Sequence, residues 1–356
     1  MFDVVHLIPT GVGAAIGGFA GDATPVAHLL ASVCDRLITH PNALNAANLF
    51  DCPANAFYVE GLALDGWLAG QWVLRPTRGQ RVGLLIDRAI ERQPAGTLES
   101  LLNAANAVRA VHGLSIVGYR FTPRPLGCAL ETLPSGASAG RVADVAALLE
   151  GARSLIADGA EAIAILADLG APSDSQEQAY ERGEGVDPIG GLEAILSHVI
   201  VAELGVPAAH APILPFDPVP PALVDPRAAA EYLGHTYLPC ILRGLSRHPR
   251  LATPGEARAD DLISPPSALV VPAGCLGGPG VLAAHARGVT ILAVRENATV
   301  LGVTAASLGL RGVVEVDNYL EAAGVLACMR AGIDWRSCRR PLPSLQALGV
   351  AALGPA

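Results

Sequence analysis

The sequence alternates short runs of aliphatic and β-branched residues with longer stretches of helical character along most of its length. Apolar runs bounded by glycine and proline are typical of buried strands, and helices between them serve as crossovers between parallel strands. The pattern predicts an α/β fold with a doubly wound, mostly parallel sheet and helices on both faces. A proline-rich connector at 212–226 allows two lobes around a cleft: an N-terminal lobe with a glycine-rich loop (1–211) and a C-terminal lobe (227–356).

The hydropathy of the chain raises the question of a membrane span. Of 356 residues, 51% are hydrophobic and 16% charged, and the mean hydropathy is +0.41. The longest apolar stretch, 267–286, is interrupted by Pro272 and Pro279, so it is too broken for a spanning helix. The N-terminus lacks the basic segment that opens a signal peptide. We therefore expect a cytoplasmic protein with no membrane partner.

Charge and residue usage exclude several classes of function. The net charge of −9 disfavours a nucleic-acid partner. All 24 basic residues are arginine, which excludes pyridoxal and Schiff-base enzymes and the P-loop lysine. The seven cysteines include no CxxC pair, so free thiols are expected rather than a disulfide framework.

A glycine-rich segment, PTGVGAAIGGFAGD at 9–22, follows the first predicted strand. A dinucleotide fingerprint needs GxGxxG at the start of a helix, but here the third glycine, Gly17, comes one place late. We therefore expect no nicotinamide or flavin, and no organic cofactor. Two interpretations remain open. The amides of Thr10, Gly11 and Gly13 cup a small anion, or the glycines serve only the backbone conformation.

Two further segments place polar groups at predicted strand ends or helix starts. In THPNALN (39–45), His40 is a candidate acid–base group, with Asn42 and Asn45 as amide donors; the alternative is a histidine that caps the next helix. In LPSGASAG (133–140) the hydroxyls of Ser135 and Ser138 suit an anion at a helix start, or Ser138 is a simple N-cap. We expect this segment and 10–22 to line one cleft.

The remaining candidates are ionisable groups in the second half of the chain. Asp187 precedes a predicted helix that it could merely cap, and His210 ends a strand, as His40 does. Cys275 lies near a helix N-terminus, where a thiolate can be stabilised, although free cysteines are more often packed. The polar stretch 171–187 is predicted to be an exposed loop. Further polar or glycine positions at the same sheet edge are Gly277, Gly278, Glu296 and Asn297.

Several motifs together resemble a known family. HLIPTGVGAAIGGFAGDA, THPNALNAA, LPSGASAG, GVDPIGGLEAILSH and AHAP are similar to the family known as domain of unknown function 3326, found in cyanobacteria and other bacteria. The resemblance covers 3–300 and implies no particular activity. A weaker likeness to aspartate/glutamate racemases, in which His40 replaces the first cysteine, favours cofactor-free acid–base chemistry.

We therefore expect an enzyme that acts on a small anionic metabolite as a hydrolase, lyase or isomerase rather than an oxidoreductase or kinase. The predicted catalytic residues are His40, Asp187, His210, Cys275 and Glu296. The predicted substrate-binding residues are Thr10, Gly11, Gly13, Asn42, Asn45, Ser135, Ser138, Gly277, Gly278 and Asn297. No metal is assigned, and a homodimer is left open. The alternatives are a non-catalytic ligand-binding or regulatory protein and a metal-dependent hydrolase using His40, His198, His210 or His235.

Overall fold

The computed structural model describes residues 1–19, 21–45, 47–213, 224–225, 227–228 and 237–345. The strands are β1 (Asp3–His6), β2 (Arg36–Thr39), β3 (Ala56–Tyr58), β4 (Val73–Arg75), β5 (Val82–Ile86), β6 (Ile116–Phe121), β7 (Cys128–Thr132), β8 (Ser138–Val142), β9 (Ala162–Ala167), β10 (Ala208–Pro212), β11 (Arg250–Ala252), β12 (Ala268–Pro272), β13 (Thr290–Val294) and β14 (Val314–Val316). The α-helices are α1 (Thr24–Ser32), α2 (Pro41–Leu44), α3 (Gly61–Leu68), α4 (Thr97–His112), α5 (Val145–Ala157), α6 (Asp174–Glu181), α7 (Gly190–Leu204), α8 (Tyr237–Arg247), α9 (Pro279–Ala286), α10 (Ala305–Leu308) and α11 (Tyr319–Arg330). Short 3₁₀ helices cover Arg88–Arg92, Pro254–Glu256 and Trp335–Cys338.

The first sheet is parallel throughout, in the order β14-β13-β12-β1-β2-β3. Its strands come from both ends of the described chain, and β1 pairs with β12 at its centre. The order reverses between β1 and β12, which makes that edge the topological switch point of a doubly wound sheet. The predicted α/β class and doubly wound, parallel arrangement are confirmed.

The second sheet is also parallel, in the order β10-β9-β5-β6, and it comes from the part of the chain between β3 and β12. Two antiparallel pairs, β4–β11 and β7–β8, lie beside the sheets. The expected connector at 212–226 lies mostly outside the described residues. It does not separate the two sheets, because strands from both sides of it build the first one.

Alternating residues of each strand pack against different helices, as strand geometry requires. In the first sheet Val4 belongs to one core cluster with α1 and α11, and Val5 belongs to another with α3 and α9. Leu85 of the second sheet joins that second cluster together with residues of α5 and α7. One hydrophobic core therefore lies between the two sheets.

Two local predictions need correction. Residues 133–140 do not start a helix, because β7 and β8 form a hairpin whose turn contains Gly136 at φ +87°. The helix starts only at α5, where the Asp144 carboxylate accepts the Ala147 amide at 2.8 Å. Within 171–187, the predicted loop contains α6, since Ser173 and Gln176 form a reciprocal capping box that stabilises even a polar helix.

The apolar segment 267–286 forms β12, a loop and α9, as its prolines predict. Within the described ranges, no helix is both long enough and apolar enough to cross a bilayer. All seven cysteines carry free thiols, as expected.

The unfolding free energy should depend on pH through buried histidines. Burial lowers the pKa of His6 to about 3 and those of His40, His210 and His248 to about 4. In the unfolded chain these groups bind a proton near pH 6.5, so unfolding takes up protons between about pH 6.5 and 4. Stability is therefore present above this window and is lost as the pH falls, by about 1.4 kcal/mol per pH unit for each histidine.

Urea unfolding measured from pH 7 to pH 4.5 checks this. His6→Phe is the sharpest variant, because both ring nitrogens of His6 are buried without a hydrogen-bond partner in the described structure. The His6→Phe protein should be about as stable as wild type at pH 7. Its unfolding free energy should fall less steeply as the pH is lowered, by the contribution of one histidine. An unchanged slope in this variant would contradict the assignment.

Candidate functional site

A cavity of about 230 Å³ opens at the carboxyl ends of β9 and β10, next to the start of α7. Three predicted site residues, Asn45, Asp187 and His210, line it together. Asn45 reaches it from the first sheet's edge, and its Oδ1 is buried with no hydrogen-bond partner among the described groups. The other described lining residues are Leu169, Gly170, Pro172, Glu177, Tyr180, Pro188, Ile189, Glu193, Pro212, Ile213 and Tyr237.

His210 is the titratable base of the cavity. Its Nδ1 lies 3.0 Å from the Ser197 hydroxyl, and its Nε2 lies 3.9 Å from Oε2 of Glu193. Burial lowers the pKa of His210 to about 4; His198 lowers it further, and Glu60 opposes the shift. The imidazole is therefore neutral at pH 7 and can accept a proton.

Asp187 serves both functions that its position in the sequence allows. Its Oδ1 accepts the Ile189 amide at 3.0 Å just before α7, which is the helix-capping role. It also lines the cavity, where burial raises its pKa, opposed by the Ile189 and Gly190 amides. A carboxyl group with a raised pKa keeps its proton to a higher pH than an ordinary aspartate and can act as an acid.

Behind His210 lies a buried carboxylate, Glu60, which caps α3. Its Oε2 accepts the amides of Leu62 and Ala63 at 3.1 and 3.2 Å. Its Oε1 accepts the Ser197 hydroxyl at 3.3 Å and lies 3.1 Å from Nε2 of His198. Burial alone would raise the pKa of Glu60, but these contacts outweigh it and lower the pKa.

His198 connects this carboxylate to solvent. Its side chain is 40% exposed, whereas that of Glu60 is 3% exposed. Burial lowers the pKa of His198, but the hydrogen bond and charge of Glu60, with Asp65, outweigh it, so the pKa is raised. The protonated form of His198 is thus favoured next to a carboxylate that stays ionised.

The cavity wall is acidic and partly apolar. Glu177, Asp187 and Glu193 contribute carboxyl groups, and no arginine is present among the described lining residues. Tyrosine, isoleucine, leucine and proline side chains supply the remainder. This charge repels an anion, so the wall does not favour the small anionic substrate expected from the sequence.

The glycine-rich loop and the hairpin, which we expected to line one cleft, contact each other, but neither segment is among the described residues that line the cavity. The Ser138 amide donates to the Gly11 carbonyl at 2.8 Å, and the Gly191 amide donates to Oγ of Ser138 at 2.9 Å. Gly11 and Gly13 have φ of +71° and +60°, and a Cβ on Gly11 would lie 2.4 Å from Oγ of Ser138. These glycines satisfy backbone conformation and close packing, which favours the structural interpretation.

Other predicted residues of this region also make packing contacts. A Cβ on Gly190 would lie 2.9 Å from Cγ2 of Thr10, so Thr10 packs against the start of α7. Ser135 lies exposed in the hairpin turn, where its hydroxyl accepts the Ala137 amide at 3.4 Å.

Two of the three predicted amide side chains, Asn42 and Asn297, hold the glycine-rich loop. Asn42 donates to the carbonyl oxygens of Ile8 and Gly17. Asn297 accepts the Ile16 amide and donates to the Ile16 carbonyl, both at 2.9 Å. Their hydrogen-bonding groups are used within the chain, so they are structural clamps rather than substrate ligands in this structure.

The segment after β13 occupies the switch point of the first sheet. The Val300 amide donates to the Val12 carbonyl and the Leu276 amide to the Val303 carbonyl, both at 2.9 Å. The chain therefore packs against the edge where a dinucleotide lies in such sheets.

The other candidates near that edge have structural partners. Burial raises the pKa of Cys275, whose Sγ lies 3.4 Å from the Thr299 hydroxyl, so its thiol stays protonated. Glu296 is exposed and accepts the Tyr319 amide at 2.7 Å, which caps α11. A Cβ on Gly277 would lie 2.8 Å from Val303, and Gly278 is the N-cap position of α9.

His40 is not among the residues that line the cavity. Its Nε2 accepts the Ile8 amide at 3.0 Å, and burial lowers its pKa to about 4, with His198 adding to the shift and Glu60 opposing it. The ring therefore holds the end of β1. His235, the fourth histidine of the metal alternative, lies outside the described residues. Within the described part of the chain, no three His, Cys, Asp or Glu side chains are grouped to hold a metal ion.

Sequence reasoning missed Glu60, Glu193 and Ser197. Glu60 could have been predicted from its position, because an acidic residue between a strand and a helix is both an N-cap and a group at the edge of the sheet. Glu193 and Ser197 lie one turn apart in α7, and that spacing places side chains on one helix face. The sequence does not tell which element this face meets.

Comparison with known proteins agrees with the motifs. The family model described as "Protein of unknown function (DUF3326)" matches residues 3–339. The chain belongs to this family. It is also 46% identical over 336 residues to a protein of Synechococcus sp. named as an uncharacterized lipoprotein, covering 93% of this chain and 91% of the relative. No solved structure matches the chain.

The name of the Synechococcus relative corrects one prediction. That protein is called a lipoprotein, which contradicts the cytoplasmic location expected from the N-terminus. The predicted location is therefore wrong.

Removing the Glu60 carboxylate should destabilise the fold. Glu60→Ala leaves the Leu62 and Ala63 amides without their acceptor and His198 without its carboxylate, so we expect a loss of about 3 kcal/mol in unfolding free energy. Glu60→Gln keeps one acceptor oxygen and should lose less. Urea denaturation at pH 7 measures both, with exposed Glu150→Ala as a control expected within about 0.5 kcal/mol of wild type. Equal losses in Glu60→Ala and Glu150→Ala would contradict the role of Glu60.

Proposed function

We propose that this protein is an enzyme that transfers protons to and from a small molecule held in the cavity, without an organic cofactor. The observation that carries the proposal is His210, a neutral imidazole at the cavity wall with Nε2 3.9 Å from the Glu193 carboxylate. Asp187 lines the same cavity with a raised pKa. A base with a lowered pKa beside an acid with a raised pKa is the pairing that acid–base enzymes use.

The lining favours acid–base chemistry over nucleophilic catalysis. No serine or cysteine is present among the described lining residues, and Cys275 is packed against Thr299. A covalent acyl or thioester intermediate on such a side chain therefore has no support at this cavity. Isomerisation, elimination, or hydrolysis by an activated water fits the residues present.

The cavity also favours a particular kind of substrate. The Glu177 carboxyl group and the unpartnered Oδ1 of Asn45 are acceptors, which suit a molecule rich in N–H or O–H donors. Its tyrosine and aliphatic walls suit a partly apolar body. We therefore propose a small neutral or positively charged substrate in place of the anionic one.

A screen that detects both binding and proton transfer tests the proposal. Small amines, neutral polyols and carboxylates are compared by thermal shift. Those that bind are then incubated with the protein in D₂O, where NMR detects deuterium incorporation or product. We expect amines or neutral compounds to stabilise the protein and carboxylates not to. Binding without exchange or turnover would indicate a ligand-binding protein instead.

Matched histidine variants separate the two candidate bases. His210→Gln should lower turnover about 10²–10⁴-fold with the fold intact, because glutamine can hydrogen-bond but cannot carry the proton. His40→Gln, which changes a buried histidine outside the cavity lining, should retain most turnover. Wild-type activity should fall as the pH drops through about 4, the pKa of His210, because the base must be neutral. Loss of turnover in His40→Gln alone would return the chemistry to His40.

A further inference from the structure

A continuous set of hydrogen-bonding side chains leads from the cavity to the protein surface. His210 Nδ1 lies 3.0 Å from Oγ of Ser197, and that oxygen lies 3.3 Å from Oε1 of Glu60. The same carboxylate oxygen lies 3.1 Å from Nε2 of His198. Each link is within the reach of a hydrogen bond, and each group can both give and take a proton.

The two central groups of the set are the most deeply buried, and exposure rises from Glu60 outward to His198. Ser197 is fully buried, the Glu60 side chain is 3% exposed, and the His198 side chain is 40% exposed. His210 lines the cavity at the inner end. A proton at the cavity base thus has a route to solvent that does not pass through the cavity mouth.

We propose that His198, Glu60 and Ser197 form a proton relay that exchanges protons between His210 and solvent. This inference rests on the proposed function in one respect: it takes His210 to be the base of the reaction. It assigns His198 and Ser197 as positioning and proton-carrying residues, since neither is among the described residues that line the cavity.

The transfers balance at each link. When His210 Nε2 takes a proton from the substrate, its Nδ1 proton passes to Ser197, whose own hydroxyl proton passes to Glu60. Because the protonated form of His198 is favoured, that ring first loses a proton to water, and its free Nε2 then takes the proton from Glu60, which restores the protonated form. Ser197 and Glu60 end as they began, and one proton has left the site. The reverse sequence recharges the base.

Other titratable groups surround the relay and must be counted. His40, Asp65 and His248 exert charge effects on Glu60, His198 or both, and Glu193 faces His210. In the described part of the chain, His40, Asp65 and His248 make no hydrogen bond to Ser197 or to the Glu60 carboxylate. Their influence is on pKa values, whereas the route of the proton is the hydrogen-bonded set.

NMR of ¹⁵N-histidine-labelled protein tests the relay without any substrate. The measured quantity is the rate at which the His210 side-chain N–H exchanges with solvent near pH 7. Ser197→Ala removes the central link and should slow the exchange at least fivefold. His198→Gln is the decisive variant, because glutamine can still donate a hydrogen bond to Glu60 but cannot carry the proton. The substituted position also makes no contact with His210, so the variant does not disturb the observed ring directly. It should slow the exchange by a similar factor.

The control is His285→Gln, which alters a half-buried histidine outside the relay whose Nε2 lies 2.8 Å from a backbone carbonyl and should leave the rate unchanged. A rate unaffected by His198→Gln would overturn the relay, since a purely structural role of Ser197 predicts that result. If exchange slows but no compound is turned over, the relay stands and the proposed reaction fails. If His210→Gln abolishes turnover while His198→Gln leaves exchange unchanged, the reaction stands and the relay fails.

Discussion

The Glu60 carboxylate joins the two halves of the molecule. It follows β3 of the first sheet and accepts hydrogen bonds from its own helix, from Ser197 and from His198 of α7. An ionised carboxylate in a buried position costs several kcal/mol unless such partners satisfy it. The surrounding core, which includes Trp67 and Leu196, is apolar, and its contacts are less directional than hydrogen bonds. The polar contact therefore fixes how α7, and with it Glu193 and the base of the cavity, faces the first sheet.

Much of the fold could be predicted because its strands are buried on both faces and its helices have clear ends. The helix Thr97–His112 starts and ends as the sequence indicates, since glycines in the left-handed region flank it. The failures have physical causes. In 133–140, small polar residues suit a hairpin turn as well as a helix start, and only the pairing of Thr132 with Ser138 decides between them. Within the described chain, the joining of both ends in one sheet also depends on long-range pairing that no local pattern reveals.

Part of the candidate site could also be predicted, because strand ends and helix starts are visible in the sequence. Asp187 and His210 reach the cavity because a strand end and a helix start meet at one edge of a parallel sheet. Asn42 and Asn297 occupy equivalent positions but hydrogen-bond to the backbone of the glycine-rich loop. A sequence shows that a polar group stands at such an edge. Whether a ligand or a nearby carbonyl uses its hydrogen bonds depends on which loop folds over it.

The pairing of β1 with β12 also has a consequence for how the chain folds during synthesis. The first three strands of the main sheet leave the ribosome early, yet one side of β1 has no partner until β12 and the strands beyond it are made. Until then β1 presents an open edge of unpaired amide and carbonyl groups, which is the kind of surface that binds other chains. The second sheet can form earlier, because all four of its strands are synthesised before β12. The nascent protein thus passes through a stage in which the inserted sheet can be complete while the older, enclosing one is half built and must be shielded.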